Sequence, residues 1–324
     1  MEIKAPPPVD ILTLGSGWIG TFLKKEFDSH KLIYASTSRD GSNDTIPFSF
    51  DPKSADSRPY ARLPLAKTVI VIFPLVTAGA HEILIRLYNQ THPDESRQTR
   101  WIQLGSTSAF DVSFTLEFDS PIHGGCLHQQ QPCRGRVLIK TNSPKSPGED
   151  SASLPLWRDR HSSVDTSKAR VMTEEELLAL PNTSACVLNL AGLWGGSRDM
   201  RQYVGRVAPT KDALASKGSL HMIHGMDVAR CLAAAHQRFA PGRWLLTDMR
   251  VYDWWDLVSA WGAREEGTAT PKHADWVREL LVERGLRALP RTPEQMGGKA
   301  LDSREFWDEY RCLNGPLRAG LGKE

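Results

Sequence analysis

The chain of 324 residues lacks long hydrophobic runs, runs of like charge and a regular cysteine framework, and each shortage removes a class of protein. The longest apolar run spans residues 68–76, far below the ~20 residues that cross a bilayer, and residues 1–10 carry no apolar signal core, so no membrane partner is expected. Forty Lys and Arg against 38 Asp and Glu leave a net charge of +2 with no basic cluster, which excludes the footprint of a nucleic-acid binder. Five cysteines, an odd number, stand at 126, 133, 186, 231 and 312 and argue for a reducing, cytoplasmic setting over a disulfide scaffold. His123, Cys126, His128 and Cys133 match no zinc spacing, so no metal is expected. Tyrosine is absent between Tyr88 and Tyr203, and no internal repeat is visible. With 40% hydrophobic and 24% charged residues, the composition is that of a globular protein with one large core, or one core plus a smaller lobe.

The most informative stretch is Ile11-Leu12-Thr13-Leu14-Gly15-Ser16-Gly17-Trp18-Ile19-Gly20. A strand-like apolar run leads into Gly-x-Gly-x-x-Gly, and Thr21-Phe22-Leu23-Lys24-Lys25-Glu26-Phe27 follows with helical periodicity. In that context the glycines form a cradle for a dinucleotide diphosphate. Gly15 permits the tight turn, Gly17 lets the backbone approach the phosphates, Gly20 lets the helix pack on the sheet, and the helix N-terminus attracts the anion. The cofactor-binding residues expected from this turn are Gly15, Ser16, Gly17, Trp18, Ile19 and Gly20.

Further strands are expected at residues 31–37, 68–74 and 101–105, with a short additional one near 46–50 and a helix over 78–89. The order β-α-β-β-α-β, with a strand at 68–74 apolar on both faces, predicts an α/β fold: a Rossmann-type, doubly wound parallel sheet with its ligand beyond the strand C-termini. Residues 115–153, rich in Gly, Pro, Ser, Gln and His, lose all periodicity and read as an inserted, disordered loop. Beyond it come a helix over 164–180, with Glu174, Glu175 and Glu176 expected on a solvated face, and a strand-turn at 186–195. They are followed by helices over 227–238 and 253–261, a strand at 243–247, and amphipathic helices over 274–284 and 303–310 expected to form a small substrate-facing lobe. The domain expectation is thus 1–114 for the first part of the dinucleotide-binding domain, 115–153 for the insertion, 154–262 for the remainder, and 263–324 for a mainly helical C-terminal lobe.

Several stretches taken together resemble the extended and atypical short-chain dehydrogenase/reductase superfamily, which includes NAD-dependent epimerases and dehydratases. They are Leu104-Gly105-Ser106-Thr107-Ser108-Ala109-Phe110, Leu190-Ala191-Gly192-Leu193-Trp194-Gly195-Gly196-Ser197-Arg198 and Ile223-His224-Gly225-Met226-Asp227-Val228-Ala229. The resemblance places Ser106 at the family's catalytic Ser or Thr and implies that Lys168 is the ribose-binding lysine. The family's acid–base tyrosine stands four residues before that lysine; here the position is Val164, which cannot exchange a proton. Asp159, His161, Asp165 and Tyr203 are the candidate substitutes, none singled out by the linear sequence. A plain strand-end cap is an equal reading of Ser106, and His224 is expected to hydrogen-bond near a helix start.

The second strand ends Ser36-Thr37-Ser38-Arg39, where a reader of the free ribose would carry an acidic residue. Hydroxyls and a guanidinium suit the adenosine 2′-phosphate, so NADP is expected over NAD, with Asp40 as the rival pointing to NAD. Pro74 and Leu75 are expected to line the nicotinamide side. The functional expectation is an NADP-dependent oxidoreductase or epimerase/dehydratase-type enzyme acting on a small organic substrate, with a homodimer allowed. The alternative is a non-catalytic NAD(P)-binding regulator or redox sensor that has lost the tyrosine. A third reading has the nucleotide only shaping a cavity, with Trp194, Trp254 and Trp255 lining an apolar pocket.

Overall fold

The computed structural model describes residues 6–93, 99–111, 157–297, 299–313 and 315–316. In chain order the first half holds β1 (Val9–Leu14), α1 (Gly20–Ser29), β2 (Tyr34–Ser38), β3 (Ile46–Pro47), β4 (Ala66–Val71), α2 (Ala80–Thr91) and β5 (Arg100–Ser106). The chain continues with β6 (Trp157–Arg158), α3 (Ala169–Ala179), β7 (Ser184–Leu190), β8 (Gly192–Trp194), α4 (Val204–Val207) and α5 (Lys211–Ala215). Then follow β9 (Ser219–Leu220), β10 (Met222–His224), α6 (Gly225–Gln237), β11 (Gly242–Leu246), β12 (Tyr252–Asp253), α7 (Trp254–Ala263), α8 (Pro271–Glu283), α9 (Pro293–Met296), β13 (Ala300–Leu301) and α10 (Arg304–Glu309).

Seven strands form one parallel sheet in the order β11-β7-β5-β4-β1-β2-β3. Alternation along β1 explains its two covered faces. Ile11 packs with Leu23 and Phe27 of α1 and with α6, whereas Leu12 and Leu14 pack with Leu84 and Leu87 of α2 and Leu177 of α3. Burial on both sides is what the near-continuous apolar strands require. The chain departs from β1 toward β2 on one side and later crosses to β4 on the other, so a crevice opens at the β1 and β4 C-terminal ends. This is the expected doubly wound fold.

A separate core joins α4, α5, α7 and α8 around Trp255, which is fully buried and donates its indole N–H to the Leu214 carbonyl at 2.8 Å. Trp254 and Trp255 thus pack the lobe. Of the two C-terminal helices, α8 belongs to that cluster, but α10 does not: Phe306 and the following Tyr310 pack against Trp244 on the main sheet, with Trp307 beside Phe306 in the same core. The helix expected over 164–180 begins only at Ala169, because Asp165 turns the preceding chain, donating its N–H to the Ala109 carbonyl and accepting from the Ser167 N–H. The expected solvated face of α3 holds at Glu175, which is exposed, and is corrected at Glu174. Glu174 is only 1% exposed, since it meets Arg243 and Asn189 beneath the sheet edge. The insertion at 115–153, with His123, Cys126, His128 and Cys133, lies outside the described residues, and among the described residues no helix is long and apolar enough to cross a membrane.

Candidate functional site

At the β1–α1 turn, Gly15 and Gly17 take φ of +88° and +47°, a region that costs L-residues energy. A side chain on Gly17 would stand in open space, with no atom within 4 Å, so the backbone there is bare toward the crevice. At Gly20 a Cβ would come within 3.1 Å of the Ser16 Cβ, which accounts for the third glycine by packing. The turn is held from below: the Gly15 N–H donates to Thr37 Oγ1 at 2.8 Å, and the Gly20 N–H to the Ser16 carbonyl at 2.8 Å. No side chain fills the bend at Gly17, and α1 directs its N-terminus there, so these residues fit a dinucleotide diphosphate.

Above the turn lies a cleft of about 320 Å³. Gly17, Trp18 and Ile19 form one wall and Pro74 lies at the β4 side; Ser106 and Arg170 stand on the far side, with Arg198 on the loop after β8. Ser106 ends β5, and its hydroxyl accepts from the Ser108 N–H at 3.2 Å, capping the turn that follows. Pro74 lines the cleft, while Leu75 turns inward, buried, with its carbonyl accepting from Thr173.

The end of β2 divides differently from a simple phosphate cradle. Ser36 accepts from Thr13, Thr37 is buried under Gly15, and Ser38 donates to Asp40 while accepting from Gly41 and Thr45. These hydroxyls build the turn. Arg39 is exposed and makes no hydrogen bond or ion pair among the described residues. Asp40 is committed locally: the Ser42 N–H, then the Ser42 and Ser38 hydroxyls, hold its carboxyl down to about 2.

Lys168 and Ser106 are not brought together in the cleft. The Lys168 ammonium donates to the Ser108 carbonyl at 2.6 Å and pairs with Asp111 at 3.3 Å and Asp165 at 3.6 Å, and it is not among the residues lining the cleft. Arg170, one residue inside α3, takes the lining position instead. Its guanidinium donates to the Leu104 carbonyl, and its Nε lies 3.3 Å from Glu174 Oε1. Burial lowers the Arg170 pKa, against the pull of Glu174. The side chain of α3 that faces the cleft is therefore Arg170, backed by the buried Glu174 four residues on, where the resemblance had implied Lys168.

None of the substitutes for the tyrosine lines the cleft among the described residues. His161 bonds Glu305 at 2.8 Å, Asp159 bonds Ser162, Asp165 bonds Ser167, and Tyr203 lies under Arg206. His224 sits between Phe22 and Trp194, and its Nδ1 accepts the Met226 N–H at the start of α6. Arg170 and Arg198 are the site residues that the sequence reading missed. Arg198 was inside a quoted motif, but nothing linear showed that its guanidinium would lie 4.4 Å from the Trp18 ring centre.

No family model matches the chain, and no curated protein matches its sequence. Solved structures do match over nearly its whole length. One is a Methylobacillus flagellatus protein provisionally assigned as an NAD-dependent epimerase/dehydratase, 16% identical, covering 93% of this chain and 91% of its own, with a TM-score of 0.52. The chain shares the fold of these proteins. MoeE5, solved with UDP-glucose and NAD, is 14% identical over 96% of this chain and 94% of its own at a TM-score of 0.52. The Helicobacter pylori ADP-L-glycero-D-manno-heptose-6-epimerase is 11% identical over 96% and 92%, at 0.51. The architecture of this chain is thus the Rossmann-like one that these neighbours share.

Proposed function

We propose that this chain binds a nicotinamide dinucleotide, NADP in preference to NAD, and acts as an oxidoreductase or epimerase/dehydratase-type enzyme on a small organic substrate. The observation that carries this reading is the bare, positive-φ turn at Gly15 and Gly17, aimed into the crevice at the switch point of the sheet. The main chain of residues 15–20 would hold the diphosphate. Arg39, unengaged among the described residues, would hold the adenosine 2′-phosphate, and the prior commitment of Asp40 to Ser42 and Ser38 weighs against a free-ribose reader there. A bound nicotinamide supplies hydride exchange. The chain's own part is to place a carbonyl-bearing group near Ser106, whose hydroxyl can donate to a developing oxyanion, and to exclude water with Ile19, Ile72, Leu190 and Leu193. Lys168 would join this machinery only by leaving Ser108 and Asp111.

Titration with NADPH and NADH, followed by tryptophan fluorescence, tests the cofactor. Arg39→Ala should raise the Kd for NADPH by about tenfold or more, the worth of one charge-assisted contact, and leave that for NADH nearly unchanged. Equal effects on both would remove the phosphate argument. The second reading, a nucleotide-binding regulator without turnover, is favoured by one observation: no tyrosine lines the cleft among the described residues. A screen of carbonyl substrates for loss of nicotinamide absorbance, repeated with Ser106→Ala, separates the two. Nucleotide binding with no turnover on any of them supports the regulator.

A further inference from the structure

The cleft carries two guanidinium groups and, among the described lining residues, no carboxylate. Arg198 is held in place before any ligand arrives. Its backbone N–H and carbonyl exchange hydrogen bonds with Gly195 at 3.1 and 3.0 Å, the Trp18 indole N–H donates to the Gly195 carbonyl at 3.2 Å, and the guanidinium lies over the Trp18 ring. Its sequence neighbour Asp199 is already paired with Arg201 at 2.8 Å, and Arg198 itself has no carboxylate partner among the described residues. A planar guanidinium resting on an indole keeps its N–H edge for an external acceptor.

Arg170 is only partly balanced. Glu174 meets it through Oε1, but Oε2 of the same carboxylate serves Arg243 at 2.7 Å and Asn189 at 3.0 Å, and Glu175 is spent on Arg243 at 2.8 Å. Two arginines thus share two glutamates, and the excess positive charge of the cleft is that of Arg198, which pairs with neither. A guanidinium does not give up its proton near neutral pH, so Arg170 cannot stand in for an acid–base phenol; what it offers is binding of negative charge.

We propose that the small substrate of this cleft bears a carboxylate, gripped by Arg198 on its Trp18 platform with Arg170 completing the positive wall beside Ser106. The inference rests on the cleft being the substrate end of the dinucleotide site. Its volume of about 320 Å³, part of which the dinucleotide would take, lies at the low end for ligand pockets, which suits a small acid better than a bulky conjugate.

The probes are malonate and its neutral diamide, malonamide, titrated calorimetrically into the intact chain with and without saturating NADP. Malonate should bind saturably and malonamide at least about tenfold more weakly, the scale of a charged hydrogen bond. Arg198→Ala carries little risk to folding because no buried partner is orphaned, and Arg198→Lys keeps the charge without the fork. The alanine variant should lose about tenfold in malonate affinity, and the lysine variant an intermediate amount, while NADPH binding stays within about threefold. Equal binding of malonate and malonamide, no malonate binding at all, or malonate affinity untouched in Arg198→Ala overturns the proposal. Parallel loss of NADPH and malonate in that variant also overturns it, by assigning Arg198 to the cofactor diphosphate. Malonate binding that depends on Arg198 in a chain that takes no nucleotide would sustain the carboxylate site and refute the cofactor reading alone.

Discussion

Gly17 and Asp248 show two opposite things that a single residue does in this fold. At Gly17 the missing side chain leaves backbone open to a phosphate. Asp248, just past β11, is instead a charge put away: it is buried, accepts from the Tyr252 hydroxyl at 2.5 Å and the Arg250 N–H at 3.2 Å, and burial raises its pKa to about 6. Because the folded chain holds this proton more tightly than the unfolded chain, the group favours folding below about pH 4, and that contribution is lost as pH rises through about 6. Asp248→Asn keeps an acceptor for Tyr252 and removes the titration. The variant should therefore gain on the wild type between pH 4 and 7 by roughly 2–3 kcal/mol, read from urea midpoints at each pH. A difference that stays flat across that range would show that Asp248 does not titrate there.

At the scale of elements, α3 is tied to β5, β7 and β11 by a polar knot. Arg243 of β11 donates to Glu174 and Glu175 of α3 and to Asn189 of β7, at 2.7, 2.8 and 2.5 Å, and Asn189 donates to the Ser106 carbonyl at 3.1 Å. Gly105 makes room for it: a Cβ there would stand 2.3 Å from the Asn189 amide nitrogen and 2.8 Å from Glu174. The knot fixes the carboxylate against which Arg170 rests. Arg243→Met would leave buried Glu174 short of its closest cation and should cost about 3–5 kcal/mol, measured by urea unfolding. Pairing it with Glu174→Gln should recover part of that loss; a single-variant cost under about 1 kcal/mol would mean the pair is solvated.

The whole molecule is closed by its C-terminal part. Strand β13 pairs with β6, and α10 delivers Phe306, Trp307 and Tyr310 to the sheet core, with the Trp307 indole N–H donating to the Thr247 carbonyl at 3.0 Å. The helix therefore stabilises the dinucleotide-binding sheet, while α7 and α8 hold a lobe core of their own. Phe306→Ala should cost about 3–5 kcal/mol, the range for a fully buried aromatic, and should lower the thermal midpoint of the chain as a whole. A melt in which only the lobe loosened would place α10 with α8 after all.

The amino-acid sequence by itself determined the elements whose causes are local. Alternating apolar residues made the strands, the glycines of residues 15–20 made the turn, and β-α alternation made the doubly wound sheet, because period and turn chemistry are written in neighbouring residues. What faces the cleft was decided only in three dimensions. Lys168 and Arg170 are two residues apart, but Lys168 sits in the extended cap before α3 and Arg170 on its first turn, so one cation turns to Asp111 and the other to the cleft. At about 100° of rotation per helical residue, no pattern of spacing fixes such a choice until the helix start is known. The same holds for Arg198 on Trp18, for Glu174 buried beneath Gly105 and for α10 on the sheet. Each is a contact between distant segments, and packing alone brought them together.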